Sequence, residues 1–280
     1  MEIKATDVKL LREKTGAGML DCKNALVKAE GDFAKAERLL KEQGLAAAVD
    51  KGGRVTNQGK VFSKVLPDKG VLLELTCETD FVARNSLFLE LGGRLVQMVI
   101  EQGLTAKTPA MDTIVRETVG RIKENMELRR IAVVSVLSDE VLVDYVHENR
   151  IGVLARFRVG SSAVKDNPKV KATLFDCALH IAAFAPIFFS REKVTPSFLK
   201  EQEEIYAKQV EGMGKPANVL AGILKGKLNK MFAEVCFLEQ PFIKDDKRSV
   251  ARVLADLGKE AGGAIEAVDF VYMKLGDVHG

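Results

Sequence analysis

Two strings in this sequence carry residue types that could do chemistry, and both fall short of it. Gly222-Ile223-Leu224-Lys225-Gly226-Lys227-Leu228 has glycines and lysines like a phosphate cradle. Its spacing departs from Gly-x-x-x-x-Gly-Lys-Ser/Thr, it offers magnesium no hydroxyl, and it lies in a stretch with helical periodicity. Cys177-Ala178-Leu179-His180 puts a thiol and an imidazole one helical turn apart. A zinc site needs about three or four such ligands. The flanking Ala182-Ala183-Phe184-Ala185 is apolar, so a buried structural pair is expected instead. No nucleophile elbow, HExxH or dinucleotide fingerprint occurs. Neither covalent catalysis nor a cofactor is expected.

A third string reads differently. Glu78-Thr79-Asp80-Phe81-Val82-Ala83-Arg84-Asn85 follows an apolar strand and precedes an amphipathic helix. Phe81 can be a hydrophobic staple with Asp80 as helix cap. Alternatively, the acid and the aromatic are displayed together at a loop tip, to enter a partner. The local pattern leaves both open.

Composition bounds what these strings can belong to. The chain has 280 residues, 47% hydrophobic and 29% charged, with 42 basic against 39 acidic residues. That suits about two folded domains rather than disorder. A net charge of +3 with only 6% aromatic residues gives little reason to expect direct nucleic-acid binding. Cys22, Cys77, Cys177 and Cys236 are 55, 100 and 59 residues apart, so reduced thiols are expected rather than a disulfide framework. No apolar run reaches the ~18 residues of a membrane span, and the first residues lack a secretory h-region. A cytoplasmic protein without membrane contact is expected.

The elements that must position these residues can be read from periodicity. Residues 1–44 read as three short helices. Thr6 or Asp7 can cap the first, Asp32 caps the third, and Gly44 is expected to stop it. A helical tail and flexible linker then run to Gly52-Gly53, which sets a first unit at 1–53. A first α+β unit, 54–139, opens with a hairpin turning at Pro67-Asp68-Lys69-Gly70. Helices over about 86–101 and 112–124 follow, then a strand from about 130. A second unit, 140–280, repeats the plan with a hairpin turning at Glu148-Asn149, a helix capped by Asn167 with Pro168 at its first position, and a last strand near 267–273. Gly70-Val71-Leu72 and Gly152-Val153-Leu154 lie 82 residues apart, which suggests an internal repeat. Residues 196–235 interrupt the second unit with two helical runs around Gly212-Met213-Gly214-Lys215-Pro216, read as a helical hairpin with coiled-coil spacing. The fold class is α+β: three amino-terminal helices, two related core subdomains and a helical-hairpin insertion.

Longer strings add a resemblance. Leu11-Arg12-Glu13-Lys14-Thr15-Gly16-Ala17-Gly18-Met19-Leu20-Asp21-Cys22-Lys23-Asn24-Ala25-Leu26, the Glu78–Arg84 string, Glu124-Asn125 before Arg129-Arg130, Tyr145-Val146-His147, Gly214-Lys215-Pro216 and Gln240-Pro241-Phe242-Ile243 together resemble the bacterial elongation factor Ts family. These are exchange factors of the GTPase elongation factor Tu. The resemblance implies a partner, elongation factor Tu, bound to GDP or free of nucleotide, and a task, accelerating GDP release so that GTP can rebind. It also implies roles. Arg12, Met19, Leu20 and Lys23 would meet the GTPase domain. Thr79, Asp80, Phe81 and Val82 would reach its helices beside magnesium and nucleotide, and His147 would face another domain. The chain departs from the family pattern at Lys123, where glycine is usual, and at Leu20, where a methionine pair is usual. It ends at Gly280, so contacts made by the extra carboxy-terminal module of some members are expected to be missing. The competing reading is an RNA- or ribosome-binding adaptor, which predicts steep salt dependence.

Overall fold

The computed structural model describes residues 3–277; residues 278–280, the last of the expected second unit, lie outside the described residues. Three helices open the chain: α1 Ala5–Thr15, α2 Met19–Lys28 and α3 Phe33–Lys51. They enclose a small core of Leu11, Cys22, Ala25, Leu26 and Ala36. Gly16, with φ 69°, ends α1 in the left-handed conformation that glycine adopts without penalty. Thr6 and Asp7 do not cap α1. The helix begins before them, with Lys4 at the cap and Asp7 in the first turn, where its negative charge is stabilised by the positive end of the helix dipole. Asp32 does cap α3, its Oδ1 accepting from Lys35 N at 3.0 Å.

Gly44 is not a stop. The third helix runs unbroken to Lys51, taking in the expected helical tail, and the expected linker is reduced to a turn at Gly52 and Gly53. Gly44 instead marks a helix crossing. A Cβ on Gly120, in a helix of the core, would stand 2.6 Å from the Gly44 Cα, so only two glycines let the backbones meet this closely. Packing of this kind outweighs the weak helix propensity of one glycine.

The core is two three-stranded antiparallel sheets. The first contains β1 Gln58–Val65, β2 Lys69–Cys77 and β3 Met126–Ser135, with β2 central. Between β2 and β3 run a single turn α4 Asp80–Ala83, then α5 Ser86–Glu101 and α6 Pro109–Ile122. The sixth helix starts three residues earlier than its apolar pattern suggests, because Thr108 caps it and Pro109 occupies its first turn. The second sheet contains β4 Glu140–His147, β5 Ile151–Val159 and, much later, a strand over Ile265–Lys274, with β5 central. Its hairpin turns through Glu148 and Asn149 at φ 49° and 57°, the paired left-handed residues of a two-residue turn. Next come α7 Ser162–Asp166, which the sequence reading did not resolve, and α8 Pro168–Phe184, capped by Asn167 as expected.

A projecting arm follows: α9 Pro196–Glu211 and α10 Ala217–Val235. Its bounds coincide with the expected insertion. Val210 and Met231 are buried, whereas Ile205 stays exposed and Leu220, Leu224 and Leu228 are half-buried along the seam. Arg191 fastens the arm's base, bonding Asn229 at 3.0 Å and lying 4.6 Å over the Phe232 ring. A short hairpin, β6 Pro241–Phe242 and β7 Asp245–Ser249, leads to α11 Val250–Ala261 and the final strand β8 Ile265–Lys274.

Both central strands are buried on two faces. Val71, Leu73 and Leu75 of β2 meet α5 and α6, and Val153, Ala155 and Phe157 of β5 meet α8 and α11. Leu72 and Leu154 point the other way, into a layer shared by the two sheets with Val61, Leu142 and Met273. The repeat shows in reciprocal packing. A Cβ on Gly70 would strike Leu142 of the second sheet at 2.3 Å, and one on Gly152 would strike Val61 of the first at 2.6 Å. Glu74 and Arg156, also 82 residues apart, each stand at a bulge of their central strand. Glu74 is fully buried and accepts from Arg130 Nε at 2.6 Å, while Arg156 Nη2 donates to Asp269 at 2.6 Å. Each arginine then crosses to the opposite sheet: Arg130 Nη2 donates to Lys274 O at 2.6 Å, and Arg156 Nη1 to Ser135 O at 3.0 Å.

Candidate functional site

The site grows from the end of β2. Cys77 is buried, and its thiol, which donates to Thr79 O at 3.1 Å, is pushed up to about 12 by burial and then by the Glu124 charge. Two residues on, Thr79 caps the single turn α4, its Oγ1 accepting from Val82 N at 3.3 Å. Asp80 is therefore not the cap, and Phe81 is not a staple. Val82 and Ala83 pack into the core, which turns Asp80 and Phe81 outward; Phe81 is 82% exposed. Asp80 pairs with exposed Arg84 at 3.1 Å.

A brace holds this turn from below. Glu124 accepts from Thr79 N at 3.1 Å and from Thr79 Oγ1 at 3.0 Å. Asn125 N donates to Glu78 Oε1 at 2.6 Å, and Asn125 Nδ2 donates to Arg54 O at 2.7 Å. Arg54 completes the ring with Glu78 at 3.5 Å. Charge-assisted bonds of this kind are shorter and stronger than neutral ones. Glu78, Arg54, Glu124 and Asn125 are functional candidates that sequence reasoning did not assign. Their signal in the sequence is limited to the Glu78–Arg84 and Glu124-Asn125 strings, and their pairing is hidden because the partners lie 45 and 47 residues apart.

A second patch lies on the helical unit. Met19 and Leu20 are 46% and 68% exposed, and Arg12 and Lys23 are exposed beside them. Between Leu20 and Lys23, Asp21 turns back and pairs with Lys123 Nζ at 3.2 Å. Lys123 caps α6 with φ 69°, the left-handed position where glycine is easiest. Its carbonyl accepts from the Lys51 ammonium, which burial, then Arg54 and Lys123, hold below the usual lysine range. The patch on α2 and the Phe81 turn are thus joined through one short segment.

His147 is not part of that assembly. It ends β4, exposed, with Tyr145 Oη 3.1 Å from its Nδ1 and the two rings stacked. Tyr145 in turn meets Phe175 edge-on at 5.7 Å. These three rings form a separate surface where β4 meets α8.

The Cys177 and His180 pair is buried and structural. The Cys177 thiol is pushed up to about 12 by burial and then by Asp176. Ile243 N donates to His180 Nδ1 at 3.2 Å, so the proton resides on Nε2, which donates to Gln240 Oε1 at 2.9 Å. Gln240 is itself oriented by Nε2 donating to Glu234 O at 2.8 Å. Burial lowers the His180 pKa, partly opposed by the Gln240 bond. The unfolded state therefore takes up this proton first on acidification, and stability present above about pH 6.5 falls as pH drops below it. Thermal melts from pH 7.5 to 5.5 should show this loss, approaching about 1.4 kcal/mol per pH unit for one proton. His180→Gln, which keeps a donor and an acceptor, should flatten the slope; an unchanged slope would assign it to other groups.

Among the described residues, no cluster of three or more His, Cys, Asp or Glu side chains could hold a metal ion, and no helix is long and apolar enough to cross a membrane. Among the described residues, the most exposed phenylalanine is held on a braced turn, joined to a helical patch with exposed apolar residues. Such an arrangement suits contact with another macromolecule.

Comparison with known proteins agrees. The profile of the family described as Elongation factor TS matches residues 78–277. Elongation factor Ts from Treponema denticola is 43% identical over 277 residues, covering 99% of both chains. That from Borreliella burgdorferi is 38% identical over 276 residues, covering 98% of this chain and 99% of its own. That from Treponema pallidum is 40% identical over 288 aligned residues, covering 99% of each. With the family profile spanning most of the chain and relatives aligned end to end, the chain belongs to the elongation factor Ts family of translation elongation factors.

Proposed function

We propose that this chain binds elongation factor Tu in its GDP-bound or nucleotide-free form and accelerates GDP release by disturbing the magnesium and nucleotide site. The observation that carries this is the exposed Phe81, held outward by a turn that Val82, Ala83 and the Thr79–Glu124 bonds anchor to the core. Phe81 enters between helices of the GTPase and gains there the burial it lacks in the free chain, roughly 1.5–3 kcal/mol. Asp80 goes in beside it and competes for polar partners near the ion. Thr79 and Val82 serve this pair from behind, one bound to Glu124 and the other buried, rather than by entering the partner. Arg12, Met19, Leu20 and Lys23 supply affinity, and His147 with Tyr145 forms a further contact. The domains divide the same work: residues 1–53 for docking, 54–139 for the wedge, and 140–280 for the remaining surface and the arm at 196–235.

Magnesium requires near-octahedral oxygen ligands at short distances, so small ligand shifts weaken it. No covalent step is needed. The factor stabilises a nucleotide-poor conformation, and linkage makes the effect mutual. Whatever factor this chain removes from nucleotide affinity, nucleotide removes from its own.

Stopped-flow release of fluorescent GDP from elongation factor Tu tests this directly. The chain should accelerate release, and its fold-stimulation should shrink when a chelator has already removed magnesium. No acceleration removes the reading. Equal stimulation with and without magnesium moves the mechanism to the phosphate loop or to domain movement.

A further inference from the structure

We infer that Lys123 is a positioning residue that holds the α2 patch and the Phe81 turn at one fixed spacing. This rests on the exchange reading above but concerns a residue that reading does not use. Four bonds converge on a two-residue segment. Lys123 Nζ pairs with Asp21, the neighbour of Leu20, at 3.2 Å. The Lys123 carbonyl accepts from Lys51 at the end of α3. The next residue, Glu124, takes both Thr79 N–H and Thr79 Oγ1–H, at 3.1 and 3.0 Å. Asp21 lies inside the patch and Thr79 caps the turn that carries Phe81, so the side chains of Lys123 and Glu124 and the peptide unit between them connect the two surfaces.

Stability alone does not explain a lysine here. Lys123 has φ 69°, where a side chain is disfavoured and glycine is not. Its ion pair with Asp21 is half-exposed, and such pairs add little to stability. The pair does no more than offset the strain, so the gain lies in geometry. Two contact patches on one rigid body meet a partner without the entropy cost of aligning them, and the second contact forms at high effective concentration. The Gly44–Gly120 crossing and the 2.7 Å pair of Lys41 with Glu117 fix α3 against α6 further along. Lys123 fixes α2, the helix that carries the patch.

The test uses the full chain and elongation factor Tu, with factor concentration varied in the GDP-release assay. Lys123→Gly keeps the left-handed backbone and removes the ammonium. It should raise the half-saturating concentration about three- to fivefold, as expected for one half-exposed pair, with the maximal rate unchanged. Lys123→Arg should restore the wild-type value. Asp21→Asn should match Lys123→Gly, and the double variant should be no worse than either. The melting temperature of Lys123→Gly should equal or exceed wild type, because strain is relieved. An unchanged half-saturation, additive single effects, or a lower melting temperature accompanying the weaker binding would overturn the inference. A second readout does not need the partner. Spin labels on Val27→Cys and Leu89→Cys, both exposed, should give one narrow distance distribution in the wild type and a broader one in Lys123→Gly. Equal widths would also overturn it. If wild type fails to accelerate release yet the label distributions differ as stated, the exchange reading has failed and the spacing role has not.

Discussion

Phe81→Ala is expected to slow stimulated GDP release by an order of magnitude or more while leaving the melting temperature within a degree or two of wild type. The phenyl ring is 82% exposed and fills no space in the folded chain, so its removal opens no cavity. Surface substitutions of this sort usually change stability by less than about 0.5 kcal/mol. In the complex the same ring would be buried, and its loss at roughly 1.5–3 kcal/mol corresponds to about 10- to 150-fold. Val82 and Ala83 remain in the core and Thr79 remains on Glu124, so the turn itself should persist. A loss of several kcal/mol of folding stability, with exchange intact in the folded fraction, would make Phe81 a packing residue and end the wedge reading.

The second large effect is expected at the helix crossing. Gly120→Leu should destabilise the chain by about 1–3 kcal/mol, the range for forced overpacking, and should raise the half-saturating concentration for elongation factor Tu well beyond the effect of Lys123→Gly. A Cβ at this position would stand 2.6 Å from Gly44 Cα and 2.9 Å from its carbonyl, and backbone cannot yield as a flexible side chain can. The third helix must lift from α6, carrying α2 and its exposed Met19 and Leu20 away from the Phe81 turn. Stimulated release at saturating factor should survive in part, because the turn and its brace lie on the core. Thermal melts and the same release titration measure both quantities. Wild-type stability with wild-type half-saturation would mean the helices are not held at this crossing.

Much of the scaffold could be read locally. Asp32 and Asn167 cap their helices, the two hairpins turn where Pro67-Asp68 and Glu148-Asn149 stand, and the two arm helices lie where their periodicity placed them, because each depends on neighbours a few residues away. Gly44 could not be read this way. A glycine after a helical run is the same letter whether it ends the helix or admits another backbone, and Gly120 lies 76 residues further on. The Glu78–Asn85 string fitted both a staple and a wedge, and only the exposure of Phe81 separates them. The brace was invisible because Thr79 and Glu124 meet only after two helices and a sheet edge are in place. The identities of the partner-facing residues came from the resemblance, since an exposed Leu20 or His147 carries no mark of what it touches.

The crossed arginines of the core have a consequence for self-recognition. Each half presents an apolar sheet face that must be covered, and the two halves are similar enough to invite the wrong cover, the matching half of another molecule. Glu74 and Arg156 are each neutralised within their own sheet, by Arg130 and Asp269, so the discrimination lies in the bonds that cross between sheets. The Arg130 and Arg156 bonds to carbonyls of the opposite sheet would have to be rebuilt on strands of the wrong half. Cross-sheet bonds that differ between the two halves therefore discriminate against exchange of halves between chains and favour closure within one chain, a safeguard that a duplicated architecture with two identical faces would lack.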